Sequence, residues 1–131
     1  MELMHENELR PDFVMNEKIV FVSETNVTAT NLKSYLKDAN DGLVLFVAGW
    51  SFSDMQLLQM FDAASLKFSS YDKLVVILTD DQQVLRSKMD AFIKSCDYGQ
   101  PALVSFKRDI FHKVICGYPS QAEIENLFQN K

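Results

Sequence analysis

Cysteine, proline, glycine and tryptophan are all scarce in this chain, whose 131 residues hold two Cys, three Pro, four Gly and one Trp. Two cysteines, Cys96 and Cys116, are too few for a disulfide framework. They are expected as core or near-surface thiols, and the compartment as a reducing, cytoplasmic one. Whether they could bond to each other depends on Cα separation, which sequence does not give. Four glycines leave no phosphate-cradling loop. Two histidines, His5 and His112, and two widely spaced cysteines make no metal constellation, so neither a metal nor another cofactor is expected. No Lys/Arg cluster appears and the net charge is -5, which excludes nucleic acid as a partner. The same charge weighs against an anionic membrane surface. No stretch approaches the roughly 20 apolar residues needed to span a bilayer. The opening "MELMHENELRPDF" is polar and acidic, unlike a secretory signal. Asn26-Val27-Thr28 therefore reads as an accidental match to the glycosylation pattern.

What is present is the composition of one globular domain: 47% hydrophobic residues and 24% charged, with ten Phe and six Met as large and deformable core filler. Residues 1–17 lack a clear period and are expected to form an arm, or a short helix, lying on a domain of residues 18–131. "KIVFV" (18–22) is a β-branched and aromatic run, hence a strand. "TATNLKSYLKDAN" (28–40) sets Leu32, Tyr35 and Leu36 at helical spacing. "DGLVLFVAG" (41–49) is apolar in both alternating sets, the pattern of a central strand covered on both faces. Residues 53–68 predict a helix with Leu57, Leu58, Phe61, Ala64, Leu66 and Phe68 on its apolar face. "KLVVIL" (73–78) predicts another buried strand, and residues 80–96 a second long amphipathic helix. "PALVSFK" (101–107) and "IFHKVIC" (110–116), separated by Arg108-Asp109, predict a hairpin. "SQAEIENLFQNK" (120–131) predicts a closing helix with Ser120 and Glu123 as a capping box.

The resulting order, β-α-β-α-β-α-β-β-α, is an α/β arrangement: a central mixed sheet with helices on both faces. In that order the chain resembles the thioredoxin-like fold family over residues 18–131. "LVLFVAGW" resembles the central strand and tryptophan that precede the family's active-site helix, and "YDKLVVILTDD" the next strand. "GQPALVSFK" resembles the segment holding the family's cis-proline, which maps onto Pro101. "KVICGYPS" resembles the last strand with its glycine, which maps onto Gly117. The spacings from Ser51 to Asp80 and from Pro101 to Gly117 fit the family, while the stretch from Asp80 to Pro101 is longer than in a minimal thioredoxin.

The departures decide what the resemblance implies. Where the family carries Trp-Cys-Gly-Pro-Cys, this chain carries Trp50, Ser51, Phe52, Ser53 and Asp54. The buried Asp that assists proton transfer maps onto Leu45, its Lys partner onto Val76, and the helix-kinking proline onto Gln59. A helix N-terminus acidifies a thiol, but a serine hydroxyl is too weak an acid to exploit that field without an adjacent base. Neither histidine is expected near Ser51, so no catalytic residue is assigned. "SFSD" is expected to cap the helix, through Ser51 with Asp54 or Ser53 with Gln56. Trp50 and Phe52 are then candidates either for partner contact or for packing against the arm.

The resemblance also implies that Gln100, before Pro101, offers backbone groups to an extended peptide, a mode of strand addition that needs no thiol. The expectation is a redox-inactive thioredoxin-like module binding a protein or extended peptide through Trp50, Ser51, Phe52, Ser53, Asp54, Gln100, Pro101 and Gly117. Two alternatives stand beside it. One is a thiol-disulfide oxidoreductase or redox sensor using Cys96 or Cys116, and the other is an engineered Cys-to-Ser variant of an oxidoreductase.

Overall fold

The computed structural model describes residues 11–23, 34–36, 41–67, 73–79, 101–108 and 110–129. Five strands, β1 (Ile19–Ser23), β2 (Asp41–Ala48), β3 (Lys73–Thr79), β4 (Ala102–Lys107) and β5 (Ile110–Cys116), form one sheet in the order β1-β3-β2-β4-β5. Two helices, α1 (Phe52–Lys67) and α2 (Gln121–Gln129), complete the described elements, with a helical turn at 34–36.

β3 runs parallel to both β1 and β2, whereas β4 is antiparallel to β2 and β5 to β4, so the sheet is mixed. The apolar run of β2 places it at the centre, because its side chains need cover on both faces. Leu43, Leu45 and Val47 enter the core under the helices, and Val44 and Phe46 the core on the other face. β3 divides in the same way, with Leu74 and Val76 on one side and Val75 and Ile77 on the other.

α1 and α2 cover the first face with Leu57, Leu58, Phe61, Ala64, Ile124, Leu127 and Phe128. The Phe61 and Phe128 rings meet at 5.7 Å in a tilted geometry. The second face is covered in part by Leu36, and a Cβ on Gly42 would stand 2.6 Å from Leu36 Cδ2. Gly42 is thus the gap into which that leucine packs.

Leu66 does not join the apolar face of α1; it is 54% exposed. Nine residues beyond Leu57 at 3.6 residues per turn, it falls on the opposite side of the helix, and Ser65 occupies the inner position instead. Phe68 and the helix expected over 80–96 lie outside the described residues, as does most of the helix expected over 28–40.

The hairpin forms with Arg108 at a φ of 52°, and a bulge between Ser105 and Phe106 leaves His112 out of the β4–β5 register. The capping box on α2 is complete. Glu123 N–H donates to Ser120 Oγ at 3.2 Å, and Ser120 N–H donates to Glu123 Oε1 at 3.0 Å.

Residues 11–16 pack on α1. The Asp62 carboxylate accepts the Met15 and Asn16 N–H groups at 2.9–3.1 Å, and Asn16 Nδ2 donates to Ser65 Oγ at 2.9 Å. Val14 is buried beside these contacts in the helix-side core. No described helix is long and apolar enough to cross a membrane.

Candidate functional site

β2 delivers the chain to the start of α1 through a tight turn at Gly49 and Trp50, closed by Ser51 N–H donating to Ala48 O at 3.1 Å. Ser51 then caps the helix. Its Oγ accepts the Asp54 N–H at 3.3 Å, and its carbonyl accepts the Met55 N–H at 3.0 Å. The expected reciprocal half of a Ser51–Asp54 capping box does not form, because Asp54 turns inward and its side chain bonds elsewhere.

Asp54 is 2% exposed. Its Oδ2 accepts the Ala48 N–H at 2.8 Å, and its Oδ1 accepts the Tyr118 hydroxyl at 2.7 Å. One carboxylate therefore joins the end of β2, the first turn of α1 and the segment after β5. Among the described residues no buried side-chain nitrogen or oxygen lacks a hydrogen-bond partner. Burial, then the hydrogen bond to Asp54 and its negative charge, push the Tyr118 phenol above its ordinary range, while a hydrogen bond with Ser51 pulls the other way. The phenol is thus a proton donor to Asp54 and stays neutral at physiological pH.

The second half of the site lies on β4 and β5. Pro101 is buried, and its carbonyl accepts the Gly117 N–H at 2.8 Å. Gly117 has a φ of 78°, a left-handed backbone that a side chain resists. That turn aims the following residue, Tyr118, back toward Asp54. Gln100 lies outside the described residues, and with it the peptide bond on which the expected cis geometry depends.

The structure thus brings the Trp50–Asp54 stretch, Pro101 and Gly117 to one end of the sheet. It also adds Tyr118, which sequence reasoning did not single out. The available signal was a hydroxyl-bearing aromatic directly after the glycine of the last strand. Around Asp54 three rings face solvent: Trp50 at 55% exposure, Phe52 at 76% and Tyr118 at 53%. The described part of the arm docks farther along α1, at Asp62 and Ser65, and leaves Trp50 and Phe52 exposed. A shallow groove of about 410 Å³ runs along α1, lined by Gln56, Gln59, Met60, Ala63 and Gln121.

Leu45 and Val76, onto which the resemblance maps a thioredoxin's proton-transfer pair, are adjacent and apolar. They are register partners on β2 and β3, both fully inaccessible to solvent. Gln59 is exposed within an α1 that runs unbroken from Phe52 to Lys67.

Cys116 corrects one expectation: it is disulfide-bonded and not a free thiol. The sequence has one other cysteine, Cys96, which lies outside the described residues. The described residues contain no group of His, Cys, Asp and Glu able to hold a metal ion.

No protein-family model matches this sequence, and no curated protein matches it. Solved structures do. A thioredoxin from Plasmodium falciparum superimposes with a TM-score of 0.57 at 17% identity, covering 85% of this chain and 95% of its own. Thioredoxin f2 of Chlamydomonas reinhardtii matches with a TM-score of 0.57 at 14% identity, over 80% of this chain and 94% of its own. A reduced Schistosoma mansoni thioredoxin pre-protein matches with a TM-score of 0.56 at 22% identity, over 76% and 88%. The chain has the thioredoxin-like fold, an α/β architecture built on a mixed five-stranded sheet.

Proposed function

We propose that this is a redox-inactive thioredoxin-like domain that binds a protein or extended peptide across Trp50–Asp54, Gln100–Pro101 and Gly117. The observation that carries the reading is the pairing of a fixed frame with an exposed apolar rim. Asp54, Tyr118, Pro101 and Gly117 are locked by hydrogen bonds, while the Trp50 and Phe52 rings beside them stand in water. Large aromatic side chains exposed together beside a fixed backbone are characteristic of contact surfaces. The place of the family's reactive thiols is taken by a capping hydroxyl and a buried carboxylate, and the proton-transfer positions by Leu45 and Val76. Among the described residues no base is disposed to activate Ser51, and the Tyr118 hydroxyl donates its proton to Asp54.

Two measurements test this. Insulin reduction driven by dithiothreitol is expected at the uncatalysed rate, and turnover above it rejects redox inactivity. Selection of extended peptides from a displayed random library, with the Trp50→Ala/Phe52→Ala variant as counter-bait, is expected to enrich binders only on the wild-type surface. Equal enrichment on both baits rejects the surface.

A second reading, thiol-disulfide exchange or redox sensing at Cys96 and Cys116, draws on the bonded state of Cys116 and its place directly before Gly117. An exchange-active disulfide equilibrates with glutathione buffers, whereas a structural one resists reduction there. The extent of thiol alkylation across such buffers separates the two. As for location, a cytoplasmic protein would carry the Cys116 disulfide in a compartment where such bonds are rare. Trapping the thiol state by rapid alkylation in cells expressing the tagged protein tests the cytoplasmic assignment.

A further inference from the structure

We infer that the partner seated on this face is a cationic extended peptide, its Lys or Arg side chains lying over the Trp50, Phe52 and Tyr118 rings. The inference rests on the binding reading above and adds the charge of the partner. Three observations support it.

The first is the chemistry of the rim. Trp50 and Phe52 flank Ser51 in sequence, and Tyr118 is bonded to Asp54 in the same helix turn. All three rings are more than half exposed. Aromatic faces carry negative charge density and attract ammonium and guanidinium groups.

The second is where the charges lie. β1, β2 and β3 are parallel, so their C-terminal ends share the edge that holds the site. The described cations belong to the other half of the molecule. Lys18 precedes β1, Lys73 opens β3, and Lys107 lies opposite Asp41, the first residue of β2, in the strand register. Arg108 follows in the hairpin turn, Lys113 faces Ser105 on the neighbouring strand, and Lys67 ends α1 beside Glu125 at 3.4 Å. None lies in 48–56 or 117–123, where the described charged residues are Asp54 and Glu123.

The third is the state of the two helix starts at this edge, which would otherwise favour an anion. Each carries an acid in its first turn, Asp54 in α1 and Glu123 in α2, and each has a serine hydroxyl on an N–H of that turn. The positive ends of both dipoles are therefore already matched within the chain. The amides of Gln56, Gln59 and Gln121 line the groove along α1 and can bond the uncharged parts of an extended chain.

Trp50 is the one tryptophan in the sequence, so its emission reports on this face alone. The full chain is titrated with three synthetic peptides of equal length, alternating Lys/Ala, Gln/Ala and Glu/Ala, while Trp50 fluorescence is followed. The Lys/Ala peptide is expected to perturb Trp50 with about tenfold higher affinity than the Gln/Ala peptide, and more weakly as salt is raised. Phe52→Ala is expected to lower that affinity about fivefold with the far-ultraviolet dichroism unchanged. Equal or tighter binding of Gln/Ala overturns the cationic preference and leaves a binding face in place. Preference for Glu/Ala overturns the preference and its charge argument together. No perturbation by any of the three overturns the inference, while the library selection independently judges the binding surface.

Discussion

The Tyr118 hydroxyl donates to Oδ1 of Asp54 at 2.7 Å across 64 residues of sequence, on the same carboxylate whose Oδ2 takes the Ala48 N–H. A carboxylate can accept from both donors at once. An amide has one accepting oxygen, so Asp54→Asn turns its NH₂ toward either Ala48 N–H or the Tyr118 hydroxyl. The expected cost is about 1–3 kcal/mol, and Asp54→Ala is expected to cost more because both donors lose their acceptor. A double-mutant cycle of Asp54→Asn with Tyr118→Phe, read by urea unfolding, should give a coupling of at least about 0.5 kcal/mol. Strict additivity would show that the bond contributes nothing.

The same pair sets a pH dependence. Because the folded Tyr118 phenol titrates above its unfolded value, the folded state resists losing that proton. Its contribution is fully present below the unfolded pKa of about 10 and is lost as pH rises through the higher folded value. Unfolding free energy should therefore fall above about pH 10, and less steeply in Tyr118→Phe. Denaturant titrations at stepped alkaline pH check this, and identical slopes for the two proteins would contradict it.

Asp62 holds residues 15 and 16 by their backbone N–H groups. Asp62→Ala removes every one of those acceptors and leaves Asn16 tied through Ser65. Faster amide exchange at Met15 and Asn16 is expected, with little change in the exchange of β2 and β3. The loss of stability should be about 1–3 kcal/mol.

Gly117 has a φ of 78°. Gly117→Ala should cost about 1–2 kcal/mol from backbone strain alone. It should also shift the Tyr118 ring and loosen Asp54, visible as a change in Trp50 emission. An unchanged spectrum with lowered stability would confine the effect to the backbone.

Unreduced, denatured protein should show no reactive thiol, since Cys116 is bonded and Cys96 is the other cysteine in the chain. Reduction before alkylation should add two labels, by intact mass. Labelling without reduction would place Cys116 in the free form.

β2 and β3 could be read directly as apolar runs that need cover on both faces, whereas β5, an edge strand with exposed His112 and Lys113, was legible through the hairpin it makes with β4. β2 at the centre follows from Leu43 to Ala48 having no polar side chain to face water. The start of α2 was equally readable, since both halves of a capping box lie within four residues. The inward turn of Asp54 was not. Its partners, Ala48 N–H and the Tyr118 hydroxyl, are a backbone group and a side chain far along the chain, and neither leaves a periodic trace. Asp62 and Ser65 share that property: they are polar residues on the inner face of α1 that serve backbone and side-chain groups nearly fifty positions away. They interrupt the apolar stripe, which is why the sequence pattern points to Leu66 in place of Ser65. Of the candidate site residues, Trp50 to Asp54, Pro101 and Gly117 follow from the resemblance to a known frame, whereas Tyr118 is marked only by its hydrogen bond to Asp54.

The three attachments of Asp54 have a consequence for recognition. The end of β2, the first turn of α1 and the Gly117–Tyr118 turn cannot shift separately while that carboxylate holds them. The conformational entropy of this face is therefore surrendered as the chain folds. Under the proposed binding function, free and occupied forms should superimpose closely in their backbones, and differences in affinity among peptides should appear mainly in how slowly they leave.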